Sequence, residues 1–440
     1  MSARLEDVAN KFFDHVICGN SCYRGKGLGG SSGIKFMCYT KPPAAEIDDF
    51  ERLGNPGWNW NNYEKHFAIT EGSFIAYPAT IDEAELKVQQ VYFTLRPTGV
   101  FFAPNTYDPL IHTRSYATTA FYLPNRDREN LIVLVAAAVN RIRLEKTRNG
   151  NFNTVGVQFE YASQTYVANA RKEVILSAGF EVFTYSRVIW DWEEGSIIEI
   201  VGLSSKADLP GVGENVQEHV SISLSYGTQE KLRDDVEFDT IDLLRDPAIA
   251  AKHIALHATG TGIFTRGIIG FAMAPLQLIS AKNDEIYGAA KENVMRNADT
   301  HSPGLMEQYK IQLERMRDGA PGCELISFPG LVFGTDLDVL TEMVKFVRSL
   351  SQTAPLKDMI VAELSPDWIK KYFGTGWHNT GFCSMLPKAS GGVVDPELKV
   401  YGTNNVRVVD FSIVPLQFAA HSQGESAVYA IAEQGIWIIP

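Results

Sequence analysis

A chain of 440 residues with 45% hydrophobic and 21% charged residues excludes the disordered, collagen-like and coiled-coil classes. That length predicts two domains or one elaborate discontinuous one. A net charge of −12 without basic blocks argues against nucleic acid or anionic membrane as a partner. The longest apolar run, Leu131 to Val139, falls far short of the ~20 residues that cross a bilayer. The opening MSARLEDVANKFFDHV has no apolar core of a secretory leader, so a cytoplasmic location is expected. Five scattered cysteines predict small buried hydrophobes rather than a disulfide framework or a metal site, even at the close pair Cys18 and Cys22.

In chain order, Phe12 to Gly19 predicts a buried strand ending at a glycine. The glycine- and serine-rich RGKGLGGSSG follows at Arg24 to Gly33, and GNPGWNWNNYEKHF (54–67) predicts an ordered loop entering a helix. LIVLVAAAV (131–139), VGVQFEY (155–161) and KEVILSAG (172–179) are β-branched runs with strand signals, the last leading into a segment that reads as helical. Ser302 and Pro303 predict the N-cap and first residue of a helix through Met316. Leu337, Leu340, Val344, Val347 and Leu350 have the spacing of an amphipathic helix, with Thr335 as its cap. Val406 to Asp410 reads as a strand and Gly424 to Ile436 as a helix with Val428, Ile431 and Ala432 inward. His378 and His421 bracket that strand.

Closely spaced glycines let a backbone approach a ligand, and serines at a turn offer amides and hydroxyls to phosphate. Yet Arg24 to Gly33 matches neither the P-loop nor the dinucleotide G-x-G-x-x-G pattern. Its meaning comes from company. RGKGLGGSSGIKFM, GNPGWNW, RSYATTAFYLPN, LPGVGENVQEH, WHNTG, GGVVDPELKVYGTNNVRVVD and AAHSQG resemble, in order, successive blocks of the glucose-methanol-choline flavin oxidoreductases, and most closely their fungal aryl-alcohol-type branch.

The resemblance implies an α/β fold: a Rossmann-like FAD-binding domain with an inserted α+β substrate domain. The expected boundaries are 11–220 for the N-terminal FAD part, 221–373 for the substrate domain and 374–440 for the closing part. It further implies FAD as cofactor, an alcohol as substrate, and oxygen or a quinone as electron acceptor. Arg24, Leu28, Gly29, Gly30, Ser31, Ser32, Lys35 and Met37 would line the pyrophosphate and flavin. Val139 would touch the adenine end. Asp410 and Phe411 would lie near the ribityl phosphate, and Ser422 and Gln423 would begin a helix aimed at the flavin. His378 would be the general base, and His421 would hydrogen-bond the substrate oxygen. The chemistry suits them, since a histidine accepts a proton near neutral pH. His15, His66, His112, His219, His253, His257 and His301 are given no role beyond surface or satisfied core.

The chain also departs from the family. Only Asn20, Ser21, Cys22 and Tyr23 separate Gly19 from Arg24, where a βαβ unit needs roughly 30 residues. The pyrophosphate helix and the acidic residue for the adenosine ribose are therefore expected to be missing, and FAD binding to be impaired. Lys35 replaces Asn or His, with a surface position its plainer reading. FEVFTYSRVIWDWEEG after Gly179 replaces a family stretch, SFPG (327–330) passes almost directly to Thr335, and the chain is shortened again before Trp368. Phe382 and Phe411 stand where the family is small or has Thr, and either ring would intrude on a flavin. Besides an FAD-dependent oxidation of a primary alcohol, two readings stay open: a non-catalytic remnant or faulty gene model unable to hold FAD, and a hydroxynitrile-lyase-like enzyme.

Overall fold

The computed structural model describes residues 3–19, 25, 27–71, 97–108, 110–179, 209–224, 226–228, 231–232, 236–237, 241–265, 267–268, 270–328, 331–333, 337–354, 356–363, 374–419 and 426–439. Its principal strands are β1 (Phe12–Gly19), β2 (Gly99–Phe102), β3 (Ala138–Lys146), β4 (Phe152–Tyr161), β5 (Gln164–Ser177), β6 (Gly270–Ala274), β7 (Cys323–Phe328), β8 (Leu331–Phe333) and β9 (Val406–Val408). The principal helices are α1 (Ala44–Arg52), α2 (Trp60–Glu71), α3 (Pro247–His257), α4 (Asn283–Arg296), α5 (Pro303–Arg317), α6 (Leu337–Ser351) and α7 (Ser426–Ile438).

The first sheet runs β1-β5-β4-β3, and β9 also joins β5. β5 is long enough to serve two partners on one side. Its first half pairs antiparallel with β4, up to Asn169 opposite Gly156. Its second half takes β9 in parallel, Val174 opposite Val406. β1 lies parallel along the other side, from Phe12 opposite Asn169 to Gly19 opposite Ser177. The sequence follows this division. In the parallel stretch Val174, Ile175 and Leu176 are all buried, as a strand covered on both faces requires. In β4 burial alternates from Val157 to Glu160, with Val157 and Phe159 buried, Gln158 half-buried and Glu160 exposed, the period of a half-covered strand.

Beneath the sheet, Ile47, Phe50, Trp58, Tyr63 and Phe67 of α1, α2 and their connection share one core with β5, β9 and α7. The Tyr63 hydroxyl donates to the Ala427 carbonyl at 2.8 Å, tying α2 to the first turn of α7. Arg407 of β9 is buried with Glu173 of β5 in a bidentate pair, 2.8 Å at both contacts.

The second sheet is antiparallel, β8-β7-β6-β2, so the middle of the chain recruits a strand from residues 99–102. Met343 of α6 packs with Ala274, Leu276, Ile279 and Cys323, while Val344 and Val347 pack with Ile222 and Leu224. The amphipathic spacing of α6 thus covers two patches. The Ser302 hydroxyl caps α5 by accepting from the Leu305 amide at 3.2 Å.

Several expectations need correction. β1 forms, but as a half-exposed edge: Phe12 is 60% and Ile17 66% accessible, and β5 is its only strand partner among the described residues. Residues 131–137 are irregular and β3 begins at Ala138, with Ala136 at φ +57° ending any strand there. On α7 the buried residues include Ala427, Tyr429, Ala430, Ile431 and Gln434, whereas Val428 and Ala432 are half-buried. The cap Thr335, the expected helix after Gly179 and the join before Trp368 lie outside the described residues.

Candidate active site

His378 sits on a short strand-like segment that pairs with the end of the LPGVGENVQEH block. Val220 and Ser221 lie antiparallel to Thr375 and Gly374, and Gln217 bridges Thr380. The Gly376 amide donates to the His219 carbonyl at 2.7 Å. The segment turns at Gly381, whose φ is +77° and where a Cβ would stand 2.0 Å from the Asn215 carbonyl oxygen. Only glycine permits that approach.

The two segments are fastened by one carboxylate. Glu218 Oε1 accepts from the amides of His219 (2.8 Å) and His378 (2.7 Å), and its Oε2 accepts from the Thr375 hydroxyl (2.6 Å). This brings the two imidazoles together. Nδ1 of His219 lies 2.9 Å from Nδ1 of His378, with the rings edge to face at 87°. Nε2 of His219 lies 2.7 Å from the Phe418 carbonyl. Burial drives the His219 pKa down to about 4, opposed by the Phe418 bond. His219, which the sequence reading left without a role, is therefore a direct neighbour of the expected base.

Three consecutive residues, Gln417 to Ala419, pin the irregular segment leading towards His421. Gln417 donates from Nε2 to the His378 carbonyl at 2.8 Å, and its amide donates to Gln217 Oε1 at 3.0 Å. Phe418 accepts from His219. The Ala419 amide donates to Glu46, 3.0 Å to Oε2. Glu46 is buried, and desolvation raises its pKa against the pull of Arg315. Arg315 in turn grips Asp49 with two bonds, 2.9 and 2.6 Å. His421, Ser422, Gln423 and Arg24 lie outside the described residues. Sequence reasoning missed His219, Glu218, Gln417 and Glu46. The one available signal was that His219 closes a block already singled out.

The remaining sites fall into two groups. In the first, Leu28, Gly29, Gly30, Ser31 and Ser32 form a tight loop docked on residues 115–118. Gly29 and Gly30 have φ of +84° and +56°, and a Cβ on Gly25 would stand 2.2 Å from the Gly30 carbonyl oxygen. The Thr118 hydroxyl donates to the Leu28 carbonyl at 2.7 Å, and the Ala117 amide donates to Ser32 Oγ at 3.2 Å. Ser32 Oγ also donates to the Gly29 carbonyl, and Ser31 Oγ accepts from the Gly25 amide. Lys35 corrects the surface reading: its ammonium turns inward, 5.7 Å from the centre of the Tyr429 ring on α7. Met37, at φ +66°, accepts at its carbonyl from the Thr106 amide.

In the second group, Asp410 stands just beyond β9. Its Oδ2 accepts from the Gly179 amide at 2.7 Å, and its Oδ1 accepts from the Ser412 amide at 2.9 Å. Phe411 is buried at 8% exposure against Phe418, and Phe382 is buried at 5%. Both rings belong to the core cluster shared by β5, β9 and α7. Val139 is half-buried on β3, opposite Phe159 of β4.

The structure permits a test of whether these residues suit FAD. The parallel strands β1, β5 and β9 end side by side at Gly19, Ser177 and Val408, and a doubly wound sheet binds its ligand outside such carboxyl ends. Gly179 and Asp410 stand there, in keeping with the flavin and ribityl half. The adenosine half has less. Among the described residues no second strand or phosphate helix flanks β1.

Two family models, both described as GMC oxidoreductase, match residues 19–100 and 321–432. The GMC oxidoreductase family protein Mala s 12 of Malassezia sympodialis is 27% identical over 94% of this chain and 79% of its own. The chain belongs to the GMC oxidoreductase family. It is a mixed α/β, FAD-dependent oxidoreductase acting on CH–OH groups, as membership implies. The fold agrees with a fungal aryl-alcohol oxidase (TM-score 0.77, 20% identity, 94% of this chain and 86% of that one). It also agrees with an FAD-dependent oxidoreductase from Chaetomium thermophilum (TM-score 0.76, 19% identity, 93% and 85%). The alignment with the Malassezia protein runs to 497 positions, more than this GMC chain has residues, so the chain skips stretches that its relative carries.

Proposed function

We propose that this GMC chain is built to oxidise a primary alcohol, with His378 taking the hydroxyl proton and His421 hydrogen-bonding the substrate oxygen. Bound FAD would accept the hydride from carbon at its N5. Gly179, Asp410 and the loop from Arg24 to Met37 would hold it, with Val139 towards the adenine and Phe411 contributing backbone. The observation that carries this reading is the fastening of His378 at its amide by Glu218 and at its carbonyl by Gln417, a scaffold expected of a positioned base. Oxygen or a quinone would reoxidise the flavin.

The same reading includes impaired cofactor retention. The four-residue join after Gly19 and the lack of a second strand beside β1 among the described residues support weak FAD binding, so a remnant without turnover is the second reading. Purification of the 440-residue protein and its visible spectrum decide between them: stoichiometric co-purifying FAD would refute impairment. In flavin-loaded protein, an alcohol should bleach the flavin anaerobically, whereas a lyase would leave it oxidised. His378→Ala should slow that bleaching by roughly 10² to 10⁴, the contribution of a positioned base, with flavin content unchanged. His421→Asn should be milder, because Asn still donates to the substrate oxygen. Equal damage from both would overturn the assigned roles.

A further inference from the structure

We infer that His219 is a positioning residue that fixes His378 in the Nδ1–H tautomer, leaving Nε2 as the basic nitrogen for the alcohol proton. This rests on the reading of His378 as the base. A carbonyl oxygen only accepts, so the 2.7 Å contact between Phe418 and His219 Nε2 puts a hydrogen on that nitrogen. In a neutral imidazole the other nitrogen then carries the lone pair. His219 Nδ1 faces His378 Nδ1 at 2.9 Å, and two nitrogens at that distance share one hydrogen. His219 has its hydrogen on the Phe418 side, so the shared one belongs to His378. Nε2 of His378 is thereby the unprotonated nitrogen.

The alternative, a doubly protonated His219, is opposed by burial, which holds its pKa near 4. Backbone anchoring keeps the relation in register, since one oxygen of Glu218 binds both histidine amides. That carboxylate thus holds the main chain of both residues, while Nδ1 of His219 faces Nδ1 of His378 and Nε2 of His219 faces Phe418. In the reaction the substrate O–H bond breaks and an N–H bond forms at His378 Nε2. The resulting imidazolium still donates from Nδ1 to His219, now as a stronger charge-assisted bond. No proton passes on to His219.

The test compares two amides that imitate different edges of the ring. His219→Asn keeps an acceptor near the place of Nδ1. His219→Gln puts its amide near the place of Nε2 and leaves His378 without its acceptor. In the full chain labelled with ¹⁵N-histidine, proton–nitrogen correlation spectra report the tautomer of His378 without any flavin. The wild type and His219→Asn should show Nδ1–H, and His219→Gln should lose that preference. In flavin-loaded protein, His219→Gln should lower the flavin reduction rate by about 10- to 100-fold, part of a base's usual contribution, at little change in KM. His219→Asn should recover most of it. Nε2–H at His378 in the wild type would overturn the inference, as would equal spectra and equal rates for the two variants. Undiminished turnover in His378→Ala would overturn the underlying base reading instead, and the wild-type spectrum would still judge the tautomer separately.

Discussion

At His219, burial lowers the pKa from 6.5 to about 4, so between those values the unfolded chain binds more protons than the folded one. Stability therefore rises with pH across that window and is lost as pH falls from 6.5 towards 4. The full shift corresponds to at most ~3 kcal/mol. Urea denaturation at pH 7 and pH 4.5 should show a falling midpoint, and His219→Asn should flatten the part of the decline that this ring causes. An unchanged pH dependence in the variant would show that His219 does not supply it. The same residue marks a limit of sequence reading. His378 could be singled out because WHNTG has a distinctive pattern, and the loop glycines because turns demand them. The part played by His219 arises from a contact across 159 positions, which no local spacing encodes. Burial likewise pushes the Cys18 thiol up to about 12, in line with the expectation of an inert buried cysteine.

Among the elements, β9 is only three residues long, yet it holds Arg407 and delivers the chain to Asp410 two residues beyond its end. Arg407 is 2% exposed and pairs with Glu173, so removing either partner leaves a buried charge. Glu173→Gln should lower stability by roughly 3–5 kcal/mol, read as a shift in urea midpoint at unchanged slope. Replacing both residues with apolar side chains should recover much of that loss; failure to do so would mean the pair contributes more than mutual compensation. The strands of this sheet were legible where β-branched residues met a real partner, as in 155–161 and 172–179. The run at 131–137 misled because hydrophobic residues were counted without a ladder to join. Leu131, Ile132 and Val135 are each over a third exposed. Ser302 and Pro303 were legible for the opposite reason: an N-cap is a local bond and needs no distant partner.

For the whole molecule, the join after Gly19 is expected to govern both solubility and cofactor retention. Among the described residues β1 has a strand on one side only, Phe12 and Ile17 on it are exposed, and such edges pair with other chains. The protein should express poorly in soluble form and unfold early. Ile17→Lys should reduce self-association by light scattering with little change in urea midpoint, since Ile17 is already 66% exposed. If scattering is unaltered, the β1 surface is not the site of association. Restoring the segment is the more demanding experiment. A βαβ insert of roughly 30 residues between Gly19 and Arg24, taken from a GMC relative, would supply a second strand beside β1. It would also supply a helix N-terminus for the pyrophosphate. Soluble yield, melting temperature and bound FAD should then rise together if the one unit governs all three. A gain in yield without flavin would separate the edge from the phosphate site and place the cofactor defect elsewhere in the chain.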